Sequence, residues 1–282
     1  MAAPTTHSPP RLALLLCDTP MPSVQREYGD YAQIFKDLLR NALAASKSAA
    51  ISGSNSALNG EAPPPFILDA FDVVHKMEYP KEEEIETYDA VLLTGSAASA
   101  YDDVPWINKL VDWVRHIAQD KPQIRIFGIC FGHQIVGRAL GGTCEPSGHW
   151  EVGPTPFRLT EVGKNVFGGK DELYLQQMHR DHVPAVPAGF ELLGSTPVCP
   201  NQGMVQFYEG EGAATDPRRI HILTVQGHPE FTAEIVDKMV DARAASGVIP
   251  ADTAKDYARR RAWTNDGVTV VGRVIWASLG VV

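Results

Sequence analysis

Two short stretches of this chain carry residue types able to do covalent chemistry together. The first is Phe127-Gly128-Ile129-Cys130-Phe131-Gly132-His133-Gln134, where glycines stand two residues before and two after a cysteine. A short apolar run ends at Ile129 and a helical pattern begins at Phe131. Cys130 is therefore expected on a tight turn from strand to helix, an elbow that side-chain-free neighbours let form. The helix that follows aims free N–H groups and its positive dipole end at the sulfur, which suits a thiolate nucleophile. The Phe131 N–H would face an oxyanion developing on an attacked carbonyl. Cys17 lies in an apolar strand, and Cys144 and Cys199 lie among short strand candidates; for these three a structural role is expected.

A thiol nucleophile needs a base that takes its proton and returns it to a leaving amine. Among nine histidines, His228 stands out in Val225-Gln226-Gly227-His228-Pro229-Glu230-Phe231. It follows the apolar run 220–225 and so sits at a strand's end. Glu230, two residues on across Pro229, is placed to hold the far imidazole N–H and set the tautomer. His133 is read as packing within the elbow helix or lining its pocket. His179 and His182 match no common metal-ligand spacing and are placed on a loop before a Pro-rich turn. His75 and His221 are read as surface or structural.

The elements that must position these groups alternate. Strand candidates lie at 11–17, 66–74, 88–93 and 124–129, and helical periodicity at 28–45, 106–118 and 131–140. This order predicts an α/β fold, an open, mostly parallel sheet flanked by helices. After Gly141, short strand candidates crowd between Gly and Pro turns at 157–159, 172–175, 190–193, 204–208 and 221–225, which predicts antiparallel hairpins added to the sheet edge. A helix follows at 233–244, then two more at 251–263 and 267–278. The expected organisation is a disordered N-terminus at 1–10, one domain at 11–245 with a flexible Ser/Ala/Gly/Asn/Pro-rich insertion at 45–65, and a C-terminal helical extension at 246–282.

The 282 residues are 44% hydrophobic and 21% charged, enough for one sizeable core. A net charge of −9 and a pI near 5.5 argue against nucleic acid as a partner. The longest basic run is Arg259-Arg260-Arg261. The apolar run near the start is too short to span a bilayer and lacks the flanks of a signal peptide, so no membrane association is expected. Four cysteines without a Cys-x-x-Cys pair fit free thiols in a reducing compartment. The cytoplasm is the expected location, with a nuclear share left open.

The order Gly-x-Cys-x-Gly-x-Gln followed by His-Pro-Glu resembles the class I, or triad, glutamine amidotransferase family, from about residue 11 to 239. The resemblance implies a flavodoxin-like sheet and a Cys-His-Glu triad, carried here by Cys130, His228 and Glu230. It implies a glutamine-binding role for Gln134. The family's Gly-Gly oxyanion turn reads Thr94-Gly95-Ser96 here, so Gly95 and Ser96 take its place with the second glycine replaced. The stretch Met178-His179-Arg180-Asp181-His182 stands where the family grips the substrate's α-amino and carboxylate groups, which nominates Arg180 and Asp181. Residues 148–153 occupy the place of a pocket-rim loop. The chain looks most like stand-alone GMP-synthase-like members, including plant γ-glutamyl peptidases, and lacks the Ser-Gly-Gly-x-Asp-Ser loop of a synthetase domain. The implied activity is hydrolysis of a γ-glutamyl amide, glutamine or a γ-glutamyl peptide, through a cysteine thioester, with no metal or organic cofactor. The alternatives are a glutaminase subunit feeding a separate synthase and a non-catalytic regulatory protein of the same fold; a synthase partner or a second copy of the chain is left open.

Overall fold

The computed structural model describes residues 9–51, 65–210 and 216–282. The expected disordered stretch before residue 9 and most of the 45–65 insertion lie outside the described residues.

Among the described residues nine strands form one sheet in the order β2-β1-β3-β4-β9-β8-β7-β5-β6. The parallel half comprises β1 (Arg11–Leu16), β2 (Ile67–Asp72), β3 (Ala90–Leu93), β4 (Arg125–Ile129) and β9 (Ile220–Val225). Leu12–Leu16 of β1 and all of β3 read as unbroken apolar runs because both faces are covered. One face carries α2 (Tyr31–Ile51), whose buried Tyr31, Ile34, Phe35, Leu38, Leu39, Ala42 and Leu43 recur at helical spacing. The other carries α3 (Pro105–Asp120) and α4 (Phe131–Ala139), packed on Ala13, Leu15, Val91, Leu93 and Ile126. Alternate residues of each strand thus feed two separate apolar layers.

The antiparallel half comprises β5 (Glu145–Leu159), β6 (Glu172–His182), β7 (Glu191–Ser195) and β8 (Gly203–Phe207). The fold class is the expected one, with three differences of detail. The run 220–225, read among the hairpins, is the last parallel strand and joins the two halves. Residues 178–182 are not a loop but the end of β6, and 148–153 belong to β5. A short helix, α1 (Pro22–Tyr28), precedes α2, which itself runs on to Ile51 inside the expected insertion. Gly29, at φ 79°, breaks the two helices apart. The last elements are α5 (Glu161–Val166), α6 (Ala233–Ala245), α7 (Ala251–Arg260), one π-helical turn at Gly267–Gly272 and α8 (Arg273–Ser278). No described helix is long and apolar enough to cross a membrane.

Candidate active site

Cys130 stands between β4 and α4 with φ 52° and ψ −103°. Cys130 and Met77 are the non-glycine residues with positive φ among the described residues. Such a conformation stores about 1–3 kcal/mol and persists only where its surroundings enforce it. The enforcement is close packing. A Cβ at Gly128 would meet the Gly132 carbonyl at 2.7 Å, and one at Gly132 would meet the Leu93 carbonyl at 2.7 Å. The Cys130 N–H donates to the Val225 carbonyl at 2.9 Å, so the turn is fastened to β9.

His228 lies three residues beyond the end of β9. Its N–H donates to the Gln176 carbonyl of β6 at 2.7 Å, and its ring lies flat on Phe231, centroids 4.0 Å apart and planes within 5°. Nδ1 meets Glu230 Oε1 at 2.7 Å. All three residues are buried, Cys130 at 5%, His228 at 4% and Glu230 at 6% exposure. Burial, the largest influence on His228, disfavours its cation; Glu230 and Cys130 outweigh it and raise the imidazole to about 10. The Gln226 amide donates to the Cys130 sulfur at 3.5 Å. Among the other thiols, burial pushes Cys17 and Cys144 up to about 12 and raises Cys199 as well, which favours their protonated form.

Gly95 sits against this group. A Cβ there would meet the His228 ring at 2.6 Å. The buried Thr94 hydroxyl accepts from Cys17 N–H at 2.9 Å and donates to the Gly95 carbonyl at 3.0 Å. Among the described residues the N–H groups of Gly95 and Ser96 have no acceptor.

The sulfur opens into a cavity of about 280 Å³, lined among others by Ser96, Ser99, Gln134, Trp150, Met178, Arg180 and Asp181. Gln134 is buried, its amide donating to the Asp181 carbonyl at 3.0 Å and to Gln226 at 3.2 Å. Asp181 accepts from the Ser99 hydroxyl at 2.8 Å through Oδ2, while Oδ1 is buried without a partner. Arg180 is exposed at the mouth, over the Trp150 ring at 5.8 Å. Residues 147–150 leave the β5–β6 ladder as a bulge, which puts Trp150 on the rim. Of the nine nominated residues, Ser96, Cys130, Gln134, Arg180 and Asp181 line this cavity; Gly95, His228 and Glu230 group behind the sulfur, and the Phe131 side chain is fully buried, stacked on Trp106. His133 is not among those lining it. Fully buried, it meets the Thr224 hydroxyl at 2.7 Å, and burial, reinforced by His179 and His182, lowers its pKa to about 3. His221 is buried and stacks on Tyr208, and His75 is exposed.

One layer beneath lies a polar group that the sequence did not reveal. Glu151 accepts from the Thr196 hydroxyl and the Gln202 amide, both at 2.6 Å, and approaches His179 Nε2 at 3.0 Å. His179 Nδ1 meets the Asp181 carbonyl at 3.0 Å. Cys199 Sγ lies within 4.8 Å of the Glu151 and His179 ligand atoms, a second Glu-His-Cys grouping separate from Cys130, His228 and Glu230. The signal was out of reach in sequence because Glu151's partners stand 45 and 51 residues away.

Comparison with known proteins agrees with this architecture. The family model "Glutamine amidotransferase class-I" matches residues 70–245. A glutamine amidotransferase-like protein of Schizosaccharomyces pombe is 38% identical over 255 residues, spanning 88% of this chain and 90% of that one. Gamma-glutamyl peptidase 4 of Arabidopsis thaliana is 29% identical over 212 residues, 69% of this chain and 77% of its own. A crystal structure of a glutamine amidotransferase from Thermotoga maritima superposes with a TM-score of 0.62 at 18% identity, covering 97% and 99% of the two chains. The chain belongs to the class-I glutamine amidotransferases.

Proposed function

We propose that the protein hydrolyses a γ-glutamyl amide through a thioester on Cys130. The observation that carries this reading is the imidazole of His228, held by Glu230 at 2.7 Å and raised to about 10 by Glu230 and the Cys130 sulfur together. A protonated imidazole beside the sulfur favours a thiolate and has a proton ready for the leaving group.

The thiolate attacks the γ-carbonyl, and the negative charge moves to the carbonyl oxygen. The N–H groups of Phe131, Gly95 and Ser96 are the donors assigned to that oxygen; losing one such donor costs about 3 kcal/mol of transition-state stabilisation. The C–N bond breaks as His228 gives its proton to the departing nitrogen. Water then attacks the thioester with neutral His228 as base, the C–S bond breaks, and glutamate leaves with the thiolate–imidazolium pair restored. The unpartnered Asp181 carboxylate oxygen is suited to the substrate's α-ammonium, and Gln134 and Ser99 hold Asp181 in place. Arg180 at the mouth is suited to the α-carboxylate. No step calls for a metal or organic cofactor.

The test is glutamate release by the purified chain alone from glutamine and from γ-glutamyl peptides, beside Cys130→Ala. Release that the variant lacks supports the hydrolase. Release that begins only after a synthase is added supports the glutaminase subunit, and none under any condition, with Cys130 reacting with electrophiles no faster than free cysteine, overturns the nucleophile assignment.

A further inference from the structure

The cavity at Cys130 has a neighbour. A second cavity of about 160 Å³ adjoins it, with Ala97 and Arg243 lining both. Its wall is largely apolar, formed by Met21, Val24, Tyr31, Phe231, Ile235 and Met239. The one carboxylate there, Asp18, already accepts from the N–H groups of Thr19 and Ala97, both at 2.7 Å. Together the two cavities fall within the range of about 300–1,000 Å³ usual for small-molecule sites.

Its position relative to the chemistry is fixed by Phe231. That ring supports the His228 imidazole on one side and lines the second cavity. In the proposed reaction His228 protonates the departing nitrogen, and Ala97 and Arg243, shared by the two cavities, put the second one within reach of what that nitrogen carries. Ammonia would need no apolar chamber there.

Arg243 adds a charge requirement. It stands in the last turn of α6, half-buried, at 6.0 Å over Trp150. Nearby Arg260 and Arg261 pair with Asp256 and Asp237. Arg243 pairs with no carboxylate among the described residues, where the junction of two cavities offers it a bound anion instead.

We propose that the second cavity is a leaving-group subsite. An apolar side chain seats against Phe231 and Met239 while Arg243 pairs with the adjacent carboxylate. The substrate is then a γ-glutamyl dipeptide with an apolar second residue. This rests on the Cys130 thioester reading: the γ-glutamyl C–N bond breaks, His228 protonates the nitrogen, and a free apolar amino acid departs.

The experiment compares kcat/KM for four substrates: γ-glutamyl-leucine, γ-glutamyl-glycine, γ-glutamyl-isoamylamide (the leucine compound without its carboxylate) and glutamine. Each is run on the native chain, Arg243→Leu and Arg243→Lys. The leucine compound should exceed the glycine one by about tenfold, as expected for burying its side chain. It should exceed glutamine by at least that factor. Arg243→Leu should cut the leucine-to-isoamylamide ratio by about tenfold, with Arg243→Lys restoring part of it. Unchanged ratios in Arg243→Leu, or a native preference for glutamine, overturn the subsite and leave the thioester reading standing. No turnover of any substrate, with Cys130 unlabelled by 6-diazo-5-oxo-norleucine, overturns the thioester reading and the subsite with it.

Discussion

At the scale of residues, the proposed chemistry turns on how Glu230 holds His228. The carboxylate sits 2.7 Å from Nδ1 and holds that side of the ring; in the proposed reaction this leaves Nε2–H to serve the substrate's nitrogen. Glu230→Gln keeps the shape and removes the charge. It should lower kcat about 10³- to 10⁴-fold with the fold intact, read by steady-state kinetics beside circular dichroism. The same pair gives stability a pH dependence. The folded imidazole is raised from 6.5 to about 10, so the folded state holds a proton that the unfolded chain has released. That contribution is complete below pH 6.5 and lost as the pH rises through about 10. Urea unfolding across that window should show native stability falling toward that of Glu230→Gln, and a constant gap between the two would contradict the pairing.

Elements carry the parts that sequence reading missed, and the largest of these lies on the long β5–β6 ladder. The Gly-x-Cys-x-Gly and His-Pro-Glu segments were legible because each functional residue is framed by its own neighbours: glycines that permit the turn, a proline that spaces the carboxylate. The parallel strands were legible as apolar runs. Residues 178–182 were not, since a polar run reads as a loop unless its partner strand is known. In the structure that polar face is buried against β5 and the floor of the cavity. Likewise α1 was invisible, being seven residues long with one buried apolar side chain. The ladder's buried carboxylate allows a test. Glu151→Ala leaves the buried Thr196 hydroxyl and Gln202 amide without their acceptor, which should cost about 1–3 kcal/mol for each in chemical unfolding. Because His179 steadies the Asp181 backbone, KM should rise more than kcat falls. A variant with native KM would confine Glu151 to stability.

For the molecule as a whole, the C-terminal segment is built into the core. Trp276 is fully buried and donates to the Leu39 carbonyl of α2 at 2.9 Å. Asn265 donates to the Phe231 carbonyl beside His228, and Asp266 accepts from Tyr174 N–H of β6, both at 2.9 Å. Trp276→Ala should cost about 3–5 kcal/mol. Activity and far-ultraviolet ellipticity should then be lost at the same, lower temperature; activity lost well before the ellipticity would mean that the C-terminal segment detaches by itself.

The tie between Cys130 and Val225 has a further consequence, for the order in which the protein is made. The thiol emerges from the ribosome well before the histidine and the glutamate. β9, which delivers both, must slot in between β4 and β8 to complete the sheet. Pairing so distant in sequence is slow to form, since the loop must close before the contacts repay it. Until then Cys130 in a growing or partly unfolded chain has neither His228 nor Glu230 beside it. The proposed site is assembled only by the completed fold.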